Sequence, residues 1–128
     1  MTRGQYNKFS GIILDSSIAV HKEMGPVLLE SVYELCLRKE LQLRGIKSEH
    51  QRILPLFYKG HEISKEFRID LLVEEEIIVE IKAVETVLPV HKAQIISYLK
   101  LADKRLGFLI NFNVSLLKDG FHRFVNNF

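Results

Sequence analysis

The chain has 128 residues, 47% of them hydrophobic and 27% charged, which suits one globular domain over residues 1–128 and is too short for two. Its net charge of +2 permits a nucleic-acid partner but excludes the strong basic excess of a dedicated nucleic-acid coat. The single cysteine, Cys36, excludes an internal disulfide and a Cys-rich zinc site, and no apolar run suits a signal peptide or a membrane span, so we expect no membrane partner, a cytoplasmic location and a buried core thiol.

From about Phe9 to Glu23, Ile12, Ile13, Ile18, Ala19 and Val20 suit a helix with Ser10 as N-cap. Gly25-Pro26 breaks it. A second helix is expected from Val27 or Leu28 to Arg44, ending at Gly45 as the C′ residue. Its apolar residues, Leu29, Leu35 and Leu43 among them, cover more than half the circumference, so the helix should be largely buried. Glu30 lies at the margin of that arc, where a carboxylate is more often solvated or salt-bridged.

Arg52 to Tyr58 reads as a strand, with Pro55 marking it as an edge. Lys59-Gly60 is a turn, and His61-Glu62-Ile63 leads into a hairpin over Phe67–Ala83. On its first arm Phe67, Ile69, Leu71 and Val73 alternate with Arg68 and Asp70; on its second, Ile77, Val79, Ile81 and Ala83 alternate with Glu80 and Lys82. A turn at Glu74-Glu75-Glu76 sets Val73 against Ile77, Leu71 against Val79 and Ile69 against Ile81. The same register sets Asp70 across from Glu80 and Arg68 across from Lys82. Like charges directly opposite are destabilising. A cation between the carboxylates would remove the first repulsion, and a phosphate near the two cations the second. The competing reading is a solvated face on which Arg68 pairs with Glu80 and Lys82 with Asp70.

Pro89 suits the first turn of a helix running to about Leu101, with Val90, Ala93, Ile96 and Leu99 or Leu101 as the core stripe and His91, Gln94 and Tyr98 sharing another face. Leu106 to Phe112 is an apolar run suited to a central strand buried on both sides. Strand, helix, strand implies a parallel pairing with the Glu80 strand through a right-handed crossover. A turn at Lys118-Asp119-Gly120 and a short strand Phe121–Val125 finish the chain. The expected fold is α/β (α+β): order α-α-β-β-β-α-β-β, a mixed sheet with an antiparallel meander plus a parallel crossover strand.

Asp70, nine residues, Glu80, one residue, Lys82 is D-x9-E-x-K on adjoining strands. Two carboxylates can hold a hard cation such as Mg²⁺ or Mn²⁺ through oxygen. Such a cation polarises a phosphoryl oxygen and lowers the pKa of a bound water, and a lysine beside them can stabilise a negative transition state or position the water. Gln94 and Tyr98 could orient substrate or water. Lys47, Arg52, Lys59, Arg68, Lys92, Lys100, Lys104 and Arg105 could contact phosphates, each being also an ordinary solvated cation.

The segments Leu29–Glu34, Phe67–Val73, Ile78–Ala83, Val90–Lys100 and Gly107–Asn113 together resemble the PD-(D/E)xK nuclease superfamily, and within it the small bacterial proteins called the GxxExxxR family. The resemblance implies a restriction-endonuclease-like core. It implies Asp70 and Glu80 as metal-binding acids, Lys82 as the active-site lysine, Glu30 as an acid assisting at the metal, and Gln94 and Tyr98 as a Q-x-x-x-Y motif. With these, His91 and Arg68 are candidates for substrate contact. Ile69 stands where the superfamily name has proline, and Val27 where a second glycine is expected before Leu28-Leu29-Glu30. The function implied is a metal-dependent nuclease acting on DNA more than RNA, alone, as a homodimer or in a larger complex. The alternative is a non-catalytic nucleic-acid-binding or protein-interaction module. A purely structural partner would expose an apolar patch, for which Phe121, Phe124, Val125 and Phe128 are candidates.

Overall fold

A computed structural model describes residues 1–128, the side chains of Lys65 and Glu66 apart. The elements are α1 (Arg3–Met24), α2 (Glu30–Leu43), β1 (Ser48–Tyr58), β2 (His61–Val73), β3 (Ile77–Lys82), α3 (Pro89–Leu101), β4 (Leu106–Asn111), α4 (Leu117–Gly120) and β5 (Phe121–Val125). The expected order holds, with a four-residue helix, α4, where a plain turn was expected. The five strands form one sheet in the order β1-β2-β3-β4-β5. Only the β3–β4 pair is parallel; the others are antiparallel. All six residues of β4 are buried, as a strand covered on both faces requires.

Two apolar clusters cover the two faces. On one, Tyr6, Ile13 and Val20 of α1 and Tyr33, Leu37 and Leu41 of α2 pack on Leu71, Val79, Ile81, Phe108 and Ile110. On the other, Leu99 of α3 packs with Leu54, Phe67, Ile69, Leu72 and Ile78. The hairpin register is the expected one near the turn, with Val73 paired to Ile77 and Leu71 to Val79, but the expected Ile69–Ile81 pair does not form: Ile69 packs in the second cluster and Ile81 in the first. Its turn is made by Glu74 and Glu75, both at positive φ (52° and 60°). Pro55 stands in the edge strand β1, where the β1–β2 register shifts between Leu54 and Leu56.

Several expectations are corrected. Helix α1 starts a turn and a half before Phe9. Thr2 caps it in a reciprocal box, with Gln5 N donating to Thr2 Oγ1 (3.1 Å) and Thr2 N to Gln5 Oε1 (2.8 Å). Ser10 lies inside the helix and donates back to the Tyr6 carbonyl (2.7 Å). Helix α2 begins at Glu30 and buries only Tyr33, Glu34, Leu37 and Leu41; Leu29, Leu35 and Leu43 are exposed. Helix α3 keeps its bounds and buries Leu99 as expected, but its other inward residue is Ile95, while Val90, Ala93, Ile96 and Leu101 face outward. Cys36 is half-buried at the margin of the first cluster. The C-terminal aromatics do not form an exposed patch. Phe121 stacks on Phe108 (4.8 Å between centroids), Phe128 meets the Tyr6 ring edge-on (5.4 Å), and Phe124 packs against the second cluster.

The α4–β5 corner closes tightly on β4. A Cβ on Gly120 would lie 2.1 Å from the Asn111 carbonyl oxygen, a backbone atom that cannot swing aside. Gly120→Ala should therefore lower unfolding free energy by about 3 kcal/mol, at the upper end of overpacking costs. Urea unfolding checks this, and a loss below about 1 kcal/mol would show that the corner re-routes freely.

Candidate active site

The site sits where the meander opens. Strand β3 pairs with β2 only as far as Leu71–Val79, yet pairs with β4 from Ile77–Leu106 through to Lys82–Asn111. Beyond Val79, then, β3 leaves β2 and stays with β4. At that fork the carboxylate of Asp70 accepts a hydrogen bond from the Ile81 amide (Oδ2 to N, 2.8 Å), so a side chain takes a backbone donor that a continuing ladder would have used. Asp70 and Glu80 are thus not ladder partners as the simple register supposes, but their carboxyl groups still meet.

Glu80 is the anomalous group. Its Oε1 is buried and has no hydrogen-bond partner among the described residues. Burial first, then the Asp70 charge and the contact with its carboxylate, push the Glu80 pKa up to about 9. An unsatisfied buried oxygen costs roughly 1–3 kcal/mol, and two facing carboxyl groups resist double ionisation. The Tyr98 phenol also titrates above its ordinary range, through burial and then the charges of Glu80 and Asp70, and its ring lies 4.5 Å from that of Phe67.

Helix α3 roofs this acid pair. Gly107 allows the close approach, because a Cβ there would meet Ile95 and Leu99 at 3.2 Å. Between helix and sheet lies a cavity of about 220 Å³, bounded by Arg68, Glu80, Lys82, His91, Gln94 and Tyr98. The expected sharing of one helix face by His91, Gln94 and Tyr98 holds, and that face is the one turned to the sheet. The Leu88 amide donates to His91 Nδ1 (3.1 Å), so a neutral ring carries its proton on Nε2. The diagonal pairing of Arg68 with Glu80 and Lys82 with Asp70 does not occur. Among the described residues the salt bridges are Arg44–Glu40, His50–Glu34, Arg52–Glu49 and Arg52–Glu75, and neither Arg68 nor Lys82 is in one, although the Lys82 charge is felt by Glu80. A larger groove of about 700 Å³ between α2 and β1 holds none of these residues.

Glu30 stands apart. It is exposed at the first position of α2 and accepts from the Ala83 amide (3.3 Å), one residue beyond Lys82. Among the described residues no three His, Cys, Asp or Glu side chains gather closely enough to hold a metal. The acid pair nevertheless fits a hard, oxygen-seeking cation, for it presents one buried carboxylate oxygen without a partner beside a second carboxylate. Of the other candidate phosphate contacts, Arg52 is held by Glu49 and Glu75, Lys104 donates to the Glu75 carbonyl (2.9 Å), and Lys59 lies over the Tyr58 ring.

Two positioning residues escape the sequence reading. Asn111, 2% exposed, donates to the Val84 carbonyl (2.9 Å) and accepts from the Val84 amide (3.1 Å). It thereby extends the β3–β4 pairing by a side chain and fixes the backbone just after Lys82. A lone asparagine closing a wholly buried strand is the signal that could have found it, since a buried amide must find partners. Tyr33 reads as plain core, yet its hydroxyl donates to the Gly25 carbonyl and accepts from the Leu28 amide (3.1 Å). It ties down the loop that delivers Glu30, while its ring stacks on Phe112 (4.5 Å).

A five-stranded mixed sheet, an antiparallel meander with a parallel crossover strand and helices on both faces, with acids at the opening of the meander, is the restriction-endonuclease-like arrangement. A family model for the PD-(D/E)XK nuclease superfamily matches residues 7–124, and the chain belongs to that superfamily. Comparison with curated proteins gives no match, and comparison with solved structures gives none. Among the described residues no helix is long and apolar enough to cross a membrane.

Proposed function

We propose that this protein is a metal-dependent nuclease that hydrolyses phosphodiester bonds in DNA, and in RNA less readily. The observation that carries the proposal is the buried Glu80 Oε1 beside Asp70, without a hydrogen-bond partner among the described residues, in a cavity lined by Arg68 and Lys82, neither of which is in a salt bridge among those residues. Asp70 and Glu80 would hold Mg²⁺ or Mn²⁺, with Glu30 assisting from the end of β3. When bound, the cation supplies Lewis acidity at the phosphoryl oxygen and a more acidic water. Lys82 holds the attacking water and offsets negative charge developing on the phosphoryl group. His91 offers its Nε2 proton to a phosphate oxygen, Arg68 a second set of donors, and Gln94 and Tyr98 orient the substrate. We place the chain with the GxxExxxR proteins on its Leu29–Glu34 segment, and in the cytoplasm, with a partner or a second copy supplying selectivity that so small a domain does not carry itself.

The other reading is a module that keeps the fold and binds nucleic acid without cutting it. Its support is that no third acid joins Asp70 and Glu80 among the described residues. Isothermal titration of Mn²⁺ into the wild type and Asp70→Ala plus Glu80→Ala separates the two, each followed by cleavage assays on single- and double-stranded DNA and on RNA. Binding and cutting that both vanish in the double variant are the expected result. Metal binding without cutting of any substrate would favour the second reading, and no metal binding in a folded wild type would overturn the first.

A further inference from the structure

The face that carries the acid pair does not end at β3. Across the sheet, Glu80 of β3 is in register with Leu109 of β4, and Leu109 with His122 of β5. Leu109 bounds the cavity, and the neighbouring Phe124 packs against the second apolar cluster with Leu99, so this part of β5 faces α3. His122 is half-buried there and makes no hydrogen bond or salt bridge with any described residue. On α3, Ile95 lies over Gly107 of β4 and His91 shares the cavity with Leu109, so Lys92, one turn before Ile95, stands at the Leu109–His122 end of the sheet; burial first, and then the Lys92 ammonium, hold the imidazole below its ordinary range. Lys92 follows His91 on the helix, is exposed, and also lacks an ion pair among the described residues. Two nitrogen-bearing side chains from different elements thus converge with no acid between them. The Lys92 ammonium and the imidazole N–H are donors without an acceptor among the described residues, and an anion between them would satisfy both.

We propose that Lys92 and His122 form a second phosphate-binding subsite, which takes a phosphate of the substrate strand flanking the one at Glu80. The inference rests on the nuclease reading and adds a direction to it: the nucleic-acid backbone crosses the sheet from Arg68 on β2, past Lys82 on β3, to the β5 edge. Two strand spacings separate His122 from Glu80, roughly 10 Å. One DNA strand advances about 3.4 Å per phosphate along the duplex axis, so the subsite holds a phosphate up to about three nucleotides from the scissile one. It therefore sees only one side of the cut.

The test uses fluorescein-labelled single-stranded DNA lengthened one nucleotide at a time, on the 5′ side of the cleavage point in one series and on the 3′ side in another. Binding is measured with Ca²⁺ in place of the catalytic ion for the wild type, Lys92→Ala and His122→Gln, and cleavage with Mn²⁺. In the wild type one series should gain roughly 10-fold in affinity at a single added phosphate, as expected for one charge-assisted contact. Both variants should lose that step and keep the rest of the length dependence. Lys92→Ala should also flatten the dependence of log affinity on log salt by about 0.7 for a single strand. Both positions lie outside the acid pair, so cleavage of the shortest substrate should stay at the wild-type rate. If both variants retain the step and the salt slope while the wild type binds and cuts, the subsite is wrong and the nuclease reading stands. If the wild type neither binds nor cuts any member of either series, both fail.

Discussion

Replacing Lys82 with alanine should cut the cleavage rate by roughly 10²–10³-fold while moving unfolding free energy by no more than about 0.5 kcal/mol. The two halves of this expectation have separate causes. Lys82 lines the cavity beside Glu80 and has no salt-bridge or hydrogen-bond partner within the chain among the described residues, so the folded state loses little when it goes. Its charge acts weakly on Glu80 in the free protein, where burial and Asp70 outweigh it, and a charge that compensates developing negative charge at the transition state acts on rate more than on binding. Lys82→Arg sharpens the test. It keeps the cation but replaces a compact ammonium with a planar fork, so activity should return only in part. The measurement is single-turnover cleavage with saturating Mn²⁺, alongside urea unfolding of the same preparations. Cleavage at the wild-type rate by Lys82→Ala would remove Lys82 from the mechanism.

The second large effect concerns stability and pH. The Glu80 carboxyl titrates at about 9 in the folded protein without metal, against about 4.3 in an unfolded chain. The raised value means that the folded state holds a proton the unfolded state has released. Its contribution is fully present below about pH 4.3 and is lost progressively as pH rises through about 9. At 1.36 kcal/mol per pH unit, the loss by pH 7 is on the order of 3 kcal/mol, or roughly 10 °C in melting temperature for a domain of this size. Glu80→Gln carries no such proton. The difference between variant and wild type, which cancels the other carboxyl groups, should therefore be small at pH 5 and grow steadily to pH 8 in favour of the variant. Metal-binding assays should run against it: Mn²⁺ stabilises the wild type with release of protons and leaves Glu80→Gln largely unmoved. Calorimetric melts in chelator across that pH range are the check. A flat difference would mean that Glu80 is ionised and satisfied in the folded protein.

Most of the strands were readable because they obey a single strong rule. Alternation gave the register from Leu71–Val79 to Val73–Ile77 and the common side of Glu80 and Lys82, and the six-residue buried run of β4 announced a central strand; but the alternation of β2 breaks at Asp70, since Phe67 and Ile69 pack on the opposite face of the sheet from Leu71 and Val73. The helices were harder for an equally physical reason. Helix α3 carries apolar residues on two sides, Ile95 with Leu99 inward and Val90 with Ile96 outward, so periodicity could not choose between them. The sheet chose the side that places Gln94 and Tyr98 over the acids. In α2 the leucines outnumber the positions the core can take, and Glu34 is buried instead because His50 (2.6 Å) and Gln51 (2.9 Å) hydrogen-bond to it. The fork at Val79 was invisible. It depends on the Asp70 carboxylate displacing a backbone acceptor, which alternation does not encode. The Thr2 cap carries no such signal, because the first apolar run of α1 starts about a turn and a half further along the helix.

The fork also fixes the order in which the site can come into being. The meander is local: β1, β2 and the start of β3 meet through short turns and can form early. Beyond Val79, however, the strand that pairs with Glu80 and Lys82 is β4, whose Leu106 pairs with Ile77 across 29 positions of chain (106 minus 77). Closing so distant a parallel contact is the slow kind of event in folding. A chain still lacking α3 and β4 would hold the acid motif in sequence but not in space. The carboxylate pair is therefore a late product of folding, completed only when the last third of the molecule has docked.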